Sequence, residues 1–208
     1  TDMSVQVDPF GNATSRFTIT NANGLSCALI SFGATLVSFR APDRDGKLEN
    51  MILGLDTLDD YVGDPNFLGS TVGRFANRIG GAAFSIDGVR YEVPANEPPN
   101  HLHGGPEGFH QKNWDAEVLD EHSVLFRCTS ADGEGGYPGN VSATVTYALT
   151  DRNELTMDYE ASTDAPTLIN MTNHAYWNLA GAGNGNVLRH EAQFDADHYL
   201  EVDEGLVP

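Results

Sequence analysis

The stretch TLINMTNHAYWNLA, Thr167–Ala180, decides how the chain is read. Taken with a period of two, one parity is Ile169, Met171, Asn173, Ala175, Trp177 and Leu179, which is largely apolar. The other is Asn170, Thr172, His174, Tyr176 and Asn178, polar throughout. Side chains alternate across a strand, so this pattern predicts a strand with one face in a core and one in a polar cleft. A plain solvent face would carry Lys, Glu or Thr; this one carries a titratable histidine beside a tyrosine and amides.

The rest of the chain agrees with a β reading. It has 208 residues, 40% hydrophobic, enough for one substantial core, and residues 1–208 are expected to form a single domain. With 22 Gly and 10 Pro, and few runs of helix formers, the composition suits an all-β protein rich in turns. Short alternating segments at Ser4–Asp8, Arg16–Thr20, Ser26–Ser31 and Thr35–Arg40, punctuated by Gly and Asn, predict a meander. Met51-Ile52-Leu53 reads as a buried run, and Asp56–Tyr61 as a short helical turn. Ala83–Ile86 and Val89–Val93 flank Asp87-Gly88, a pair suited to the two positive φ angles of a type I′ hairpin. Trp114–Leu119 and Val124–Thr129 follow as strands, then a second hairpin whose arms alternate from Val141 to Leu149 and from Glu154 to Ala161. After a Gly-rich loop at 181–185, Arg189–Phe194 reads as a last strand. The segment Pro94–Asn113, with four prolines and three glycines, cannot hold regular strands and is a long loop of the kind that carries function.

The formal net charge is −19, and Lys47 and Lys112 are the only lysines. Nucleic acid and anionic membrane are poor partners for such a surface. Two readings of the acidity stand: an ordinary cytoplasmic protein, or one from a salt-adapted organism whose self-repulsion is screened at high ionic strength. No stretch is long and apolar enough to span a bilayer, no signal sequence opens the chain, and the expected location is the cytoplasm. The opening Thr-Asp-Met reads as a tag remnant before a natural start at Met3. The sequons at Asn12, Asn140 and Asn170 then read as chance. Cys27 and Cys128 have no metal-type spacing and are expected to be buried free thiols, with one disulfide as the other possibility.

Of seven histidines, His174 is the leading acid–base candidate, set against the alternative of a hydrogen-bonded core histidine. His122, His190 and His198 have no special neighbours. His101 and His103, followed by Glu107, resemble part of a cupin metal motif, but Ala95 and Trp114 stand where its bracketing glycines belong. In GRFANRIGG, Arg74, Asn77 and Arg78 offer either ordinary ion pairs or a fork of donors for sugar hydroxyls. No Gly-rich turn leads into a helix, so a phosphate cradle is not supported.

Three segments together resemble the aldose 1-epimerases, also called galactose mutarotases: GRFANRI (73–79), NHLHGG (100–105) and TNHAYWNLAG (172–181). DGVRYEV (87–93), DGEGGYPG (132–139) and HYLEVDEGLVP (198–208) add to it, in the family's order along nearly the whole chain. The resemblance implies a large antiparallel β-sandwich, the supersandwich. It implies interconversion of the α and β anomers of free aldohexoses such as galactose and glucose, with no cofactor and no metal. In that reaction a carboxylate base takes the proton of the C1 hydroxyl while a histidine acid protonates the ring oxygen O5. Carried over by motif, His174 is the general acid, His103 a second histidine near O5, Asn77 and Arg78 sugar contacts, and Tyr176 part of the same binding segment. The implied partner is a monosaccharide.

Two departures stand out. Glu201 replaces a proline expected in the last motif, and the sequence given stops at Pro208, before the part of the family that supplies an Asp sugar ligand and the Glu base. The sandwich is therefore expected to be incomplete at its C-terminal side and inactive by itself. It would be completed by a complementary piece or would self-associate along open sheet edges. A sugar-binding or structural relative without turnover, and a cupin-like metalloprotein, are the competing readings. The acidic surface yields a first test: under the salt-adapted reading the melting temperature keeps climbing across a salt series, and no rise beyond low salt removes that reading.

Overall fold

A computed structural model describes residues 5–208; Ser4, which opens the first predicted strand, and Met3 lie outside the described residues. The chain begins with a five-stranded antiparallel meander, β1 Gln6–Gly11, β2 Thr14–Thr20, β3 Ser26–Ile30, β4 Thr35–Pro42 and β5 Leu48–Asn50, in spatial order β1-β2-β3-β4-β5. The helical turn expected near Asp56 is α1, Leu58–Val62, capped by the Thr57 hydroxyl, which accepts from the Asp60 N–H. Short strands β6 Thr71–Val72 and β7 Arg78–Ile79 lead to the predicted hairpin, β8 Ala83–Ile86 and β9 Val89–Glu92. Its turn residues Asp87 and Gly88 have φ of 51° and 81°, as a type I′ turn demands. β10 His101–Leu102 then pairs with β7.

A second antiparallel sheet follows, β11 Asp115–Asp120, β12 Ser123–Ser130, β13 Val141–Leu149 and β14 Leu155–Thr163, in spatial order β11-β12-β13-β14. Along β13 every second residue is buried: Val141, Ala143, Val145, Tyr147 and Leu149. These pack with Phe17, Ile19, Cys27, Leu29 and Leu36 of the first sheet into one apolar cluster. Phe17 meets Phe126 edge-on across it, ring centroids 5.5 Å apart. The architecture is an antiparallel β-sandwich, and each fully buried aliphatic or aromatic side chain contributes about 1.5–3 kcal/mol to it. Cys27 and Cys128 are buried free thiols. Met51 and Ile52 are buried as expected, but Leu53 is 41% exposed.

The strand predicted over Thr167–Ala180 is largely irregular chain. Only β15, Thr172–Asn173, pairs in a ladder, with β6. Isolated bridges join Asn170 to Phe75 and Trp177 to Ile52. The asparagines explain the difference, because their side chains satisfy nearby backbone in place of a ladder. The Asn173 Oδ1 accepts from the Ala175 N–H at 2.9 Å, and the Asn178 Oδ1 from the Ala180 N–H at 3.1 Å. The apolar parity holds only in the middle. Met171 and Ala175 pack on the core, whereas Ile169, Trp177 and Leu179 are 37%, 38% and 70% exposed. Arg189–Phe194, also predicted as a strand, has no ladder partner among the described residues and carries Phe194 exposed. A lone amphipathic segment of this length gains too little without a neighbour to become a strand.

Tyr147 ties the two sheets to β15. Its buried hydroxyl donates to the Ala34 carbonyl at 3.0 Å and accepts from Asn173 Nδ2 at 3.1 Å. Tyr147→Phe leaves a buried carbonyl and amide without that partner. It is expected to cost about 1–3 kcal/mol in urea unfolding, and an unchanged midpoint would show the tie to be dispensable.

Candidate functional site

β15 and the loop after it form one wall of an open hollow of about 420 Å³, lined by Ala76, Asn77, His103, Thr172, Asn173, His174, Ala175 and Tyr176. A larger concavity of about 550 Å³ lies across the end of the second sheet, but its lining is Ser, Thr, Asn, Ala and Val with Asp164 as its one titratable group. Asp164 is held by two bonds from Asn140, so chemistry favours the smaller hollow.

His174 is placed by backbone bonds on both sides: its N–H donates to Ser70 at 2.9 Å and its carbonyl accepts from Gly69 at 3.1 Å. His103 arrives from the Pro/Gly loop on a left-handed backbone, φ 54°. Gly104 follows at φ 82°, where an added Cβ would lie 1.8 Å from the Gly73 carbonyl oxygen, so glycine is required there. The ring centroids of His103 and His174 are 5.0 Å apart, with planes at 83°. His174 and Tyr176 follow at 5.3 Å. His103 Nδ1 accepts the Asn77 N–H at 2.9 Å, which leaves Nε2 to carry the proton of the neutral ring. Burial, aided by His174, His110 and Arg78 nearby, pushes the His103 pKa down to about 4.

Of the five residues singled out from the sequence, His103, His174, Asn77 and Tyr176 line the hollow directly. Arg78 stands one step behind. Its Nε and Nη2 grip both oxygens of Glu97 at 2.5 and 2.7 Å, and Nη1 lies 3.4 Å from Asn77 Oδ1. That grip holds the Glu97 carboxyl below the usual carboxylate range. Arg74 is not part of the hollow. It is 2% exposed and donates to Ser130, Ala131, Pro138 and Thr167, stitching three loops together without a direct carboxylate partner.

The cupin-type reading of His101 and His103 fails on geometry. Both His101 ring nitrogens are engaged, Nδ1 with the Pro94 carbonyl and Nε2 with the Tyr137 hydroxyl, each at 2.7 Å. No lone pair is left for a metal. Among the described residues, no group of three or more His, Cys, Asp or Glu could hold an ion.

Three contributors escaped the sequence. His110 is buried, with its pKa pushed down to about 4 by desolvation and its Nδ1 without a hydrogen-bond partner. Its place in the same loop as His103 was the available signal. Glu97 carried no mark beyond a proline-rich neighbourhood. Phe67 packs against His103, His110 and His174, with centroids at 4.9, 4.7 and 5.7 Å, and nothing in its local sequence announces that.

A family profile described as Aldose 1-epimerase matches residues 15–208. The aldose 1-epimerase of Escherichia coli K12 is 41% identical over 200 residues, covering 96% of this chain and 58% of the relative. The galactose mutarotase of Rattus norvegicus is 41% identical over 198 residues, covering 95% and 57%. The chain thus spans under two thirds of the length of these relatives. Among solved structures, a GalM/aldose epimerase homologue from C. elegans superposes with a TM-score of 0.87 at 38% identity, covering 94% of this chain and 60% of that one. A galactose 1-epimerase from Lactobacillus acidophilus follows with 0.76 at 32% identity, covering 85% and 53%.

Two of the three lowered histidines, His103 and His110, set a pH dependence, and His101 acts in the same direction. Folded, each of the first two takes up its proton only near pH 4; unfolded, near the ordinary 6.5. Between those values the unfolded chain binds more protons, so stability falls as pH drops through that window and is unaffected above it. Urea unfolding at pH 7, 5.5 and 4.5 is expected to follow this course, with a shallower slope in His110→Gln. An equal slope in that variant would remove His110 from the account.

Proposed function

The chain belongs to the aldose 1-epimerase family, and from that premise we propose that it carries the proton-donating half of a site that opens and recloses hexose rings. The reaction is interconversion of the α and β anomers of free aldohexoses such as galactose and glucose, and residues 1–208 act in it as one β-sandwich domain. The observation that carries this reading is the meeting of His103 and His174 on one hollow, 5.0 Å apart, with Asn77 and Tyr176 beside them. The names borne by the relatives support the reaction and a galactose-type substrate.

Protonating an ether-like ring oxygen calls for an acid that titrates near neutrality, and histidine supplies it. His174 gives its proton to O5 as the C1–O5 bond breaks and a carboxylate base takes the C1 hydroxyl proton, leaving the open-chain aldehyde. Rotation about C1–C2 presents the other carbonyl face, and re-addition of O5 returns both protons and inverts C1. His103, neutral and holding its proton on Nε2, donates a hydrogen bond where charge gathers on O5. Asn77 and Tyr176 bind hydroxyls, and Arg78, held by Glu97, presents Nη1 beside the Asn77 amide.

The base is a different matter. No described residue lining the hollow is a carboxylate, and Glu97 has both oxygens on Arg78. We assign the base to a complementary polypeptide segment that docks against the exposed side of the 169–179 stretch, and read these residues by themselves as sugar-binding without turnover. Buried reduced thiols suit a cytoplasmic setting. A non-catalytic sugar-binding relative is the second reading, and the same bare lining favours it.

D-galactose is expected to shift the Cε1–H resonances of His103 and His174, and no shift at saturating sugar would overturn the assignment of the hollow. Polarimetry of freshly dissolved α-D-galactose separates the two readings. In the form that turns over, His174→Ala is expected to lower the rate about 10²–10⁴-fold with little change in sugar binding. An unchanged rate would dismiss the acid role.

A further inference from the structure

We propose that Phe67 is the positioning residue of the hollow: its ring, thrust inward by a left-handed backbone, is the common wall that aligns and shields His103, His110 and His174. Two independent observations meet here. The first is backbone conformation. Phe67 has φ 57°, a region bulky side chains rarely occupy. The turn that carries it is fixed at both ends. Asp64 accepts from the Asn66 and Leu68 N–H groups at 2.9 and 2.6 Å, and the Ser70 N–H donates to the Phe67 carbonyl at 3.1 Å. Next in the chain, Gly69 donates to His174, and a Cβ there would come within 2.0 Å of the Leu36 carbonyl oxygen. Such a conformation persists where the surroundings over-determine it, commonly at functional sites.

The second observation is what the strained backbone achieves. The Phe67 ring touches all three imidazoles, at 4.9, 4.7 and 5.7 Å. It bridges His110, which does not line the hollow, to the two histidines that do. An apolar ring packed edge-on or tilted against an imidazole removes water from part of it and disfavours the charged ring. The other groups facing these histidines are few. His103 faces His174, His110, Arg78 and Glu97; His110 faces Asp64 and His174. Arg78 and Glu97 oppose each other, and burial, to which the ring of Phe67 contributes, is the largest influence keeping His103 neutral, ahead of His174 and His110. The catalytic meaning of this rests on the proton-carrying roles proposed above.

The test reads titration and needs no turnover. Phe67→Gly suits the left-handed backbone while removing the ring; Phe67→Asn, whose side chain also tolerates that backbone, is the second variant if glycine prevents folding. Histidine Cε1–H titrations are expected to show the His103 and His110 midpoints rising by about one unit or more from their wild-type values. His101 is also lowered by desolvation, but its ring is held by Pro94 and Tyr137, so its midpoint is expected to stay in place. Phe67→Tyr is expected to keep the wild-type midpoints. The proposal is overturned if His103 does not move in a folded variant, or if His101 moves as far as His103. Galactose-induced shifts in the unaltered chain test the sugar-binding reading separately: their absence with a moving His103 would sink that reading and leave this one standing.

Discussion

A single buried hydroxyl joins the parts on which the hollow depends. Tyr147 sits in the middle strand pair of the second sheet, fully covered, with its oxygen bonded to the loop that ends β3 and to the amide of Asn173. Asn173 in turn donates to the Gly69 carbonyl at 2.8 Å, whose own N–H holds His174. The position of the acid candidate is thus inherited from sheet packing through a short chain of hydrogen bonds. In an apolar surrounding such a chain is stiff, because each member would be left unsatisfied by moving away.

The hollow differs in kind from the surface around it. The chain carries 30 acidic residues against 11 Lys and Arg, yet among the described residues no carboxylate lines the hollow. Arg78, just behind the lining, is matched by Glu97. What remains is a hydrogen-bonding lining of imidazole, amide and phenol, with no carboxylate among its described residues to repel or pair with a ligand. Arg74 shows the opposite solution a few residues away. There a guanidinium is buried among carbonyl and hydroxyl oxygens, and desolvation pulls its pKa below the usual arginine value. The same short motif therefore supplies one cation buried among neutral oxygens and one paired with a carboxylate behind the hollow.

The sequence made the sheets legible because each is half in a core and its alternation is strict, as β13 illustrates. The Asp87-Gly88 hairpin was legible because only small or turn-forming residues accept its φ angles. His174 stood out because a histidine among amides is unusual on a strand face, whereas His103 entered the site only through the resemblance of NHLHGG to the family. The extent of the 167–180 strand was misread because asparagine side chains compete with the ladder, a contest that alternation cannot express. Arg189–Phe194 was misread because alternation reports an amphipathic segment and says nothing of a neighbour. Phe67 and Glu97 stayed hidden because their roles come from distant loops folding together. A left-handed φ at phenylalanine has no signature in residue type.

The two cysteines have a use that their inertness makes possible. Burial pushes both thiols up to about 12, so neither forms a reactive thiolate while the sheets are closed. Cys27 belongs to the first sheet and Cys128 to the second, with both in the same apolar cluster. Alkylation by a small electrophile therefore requires the layers to part. The speed of labelling at each sulfur then becomes a native clock for how often its own layer comes open, with no probe added to the chain.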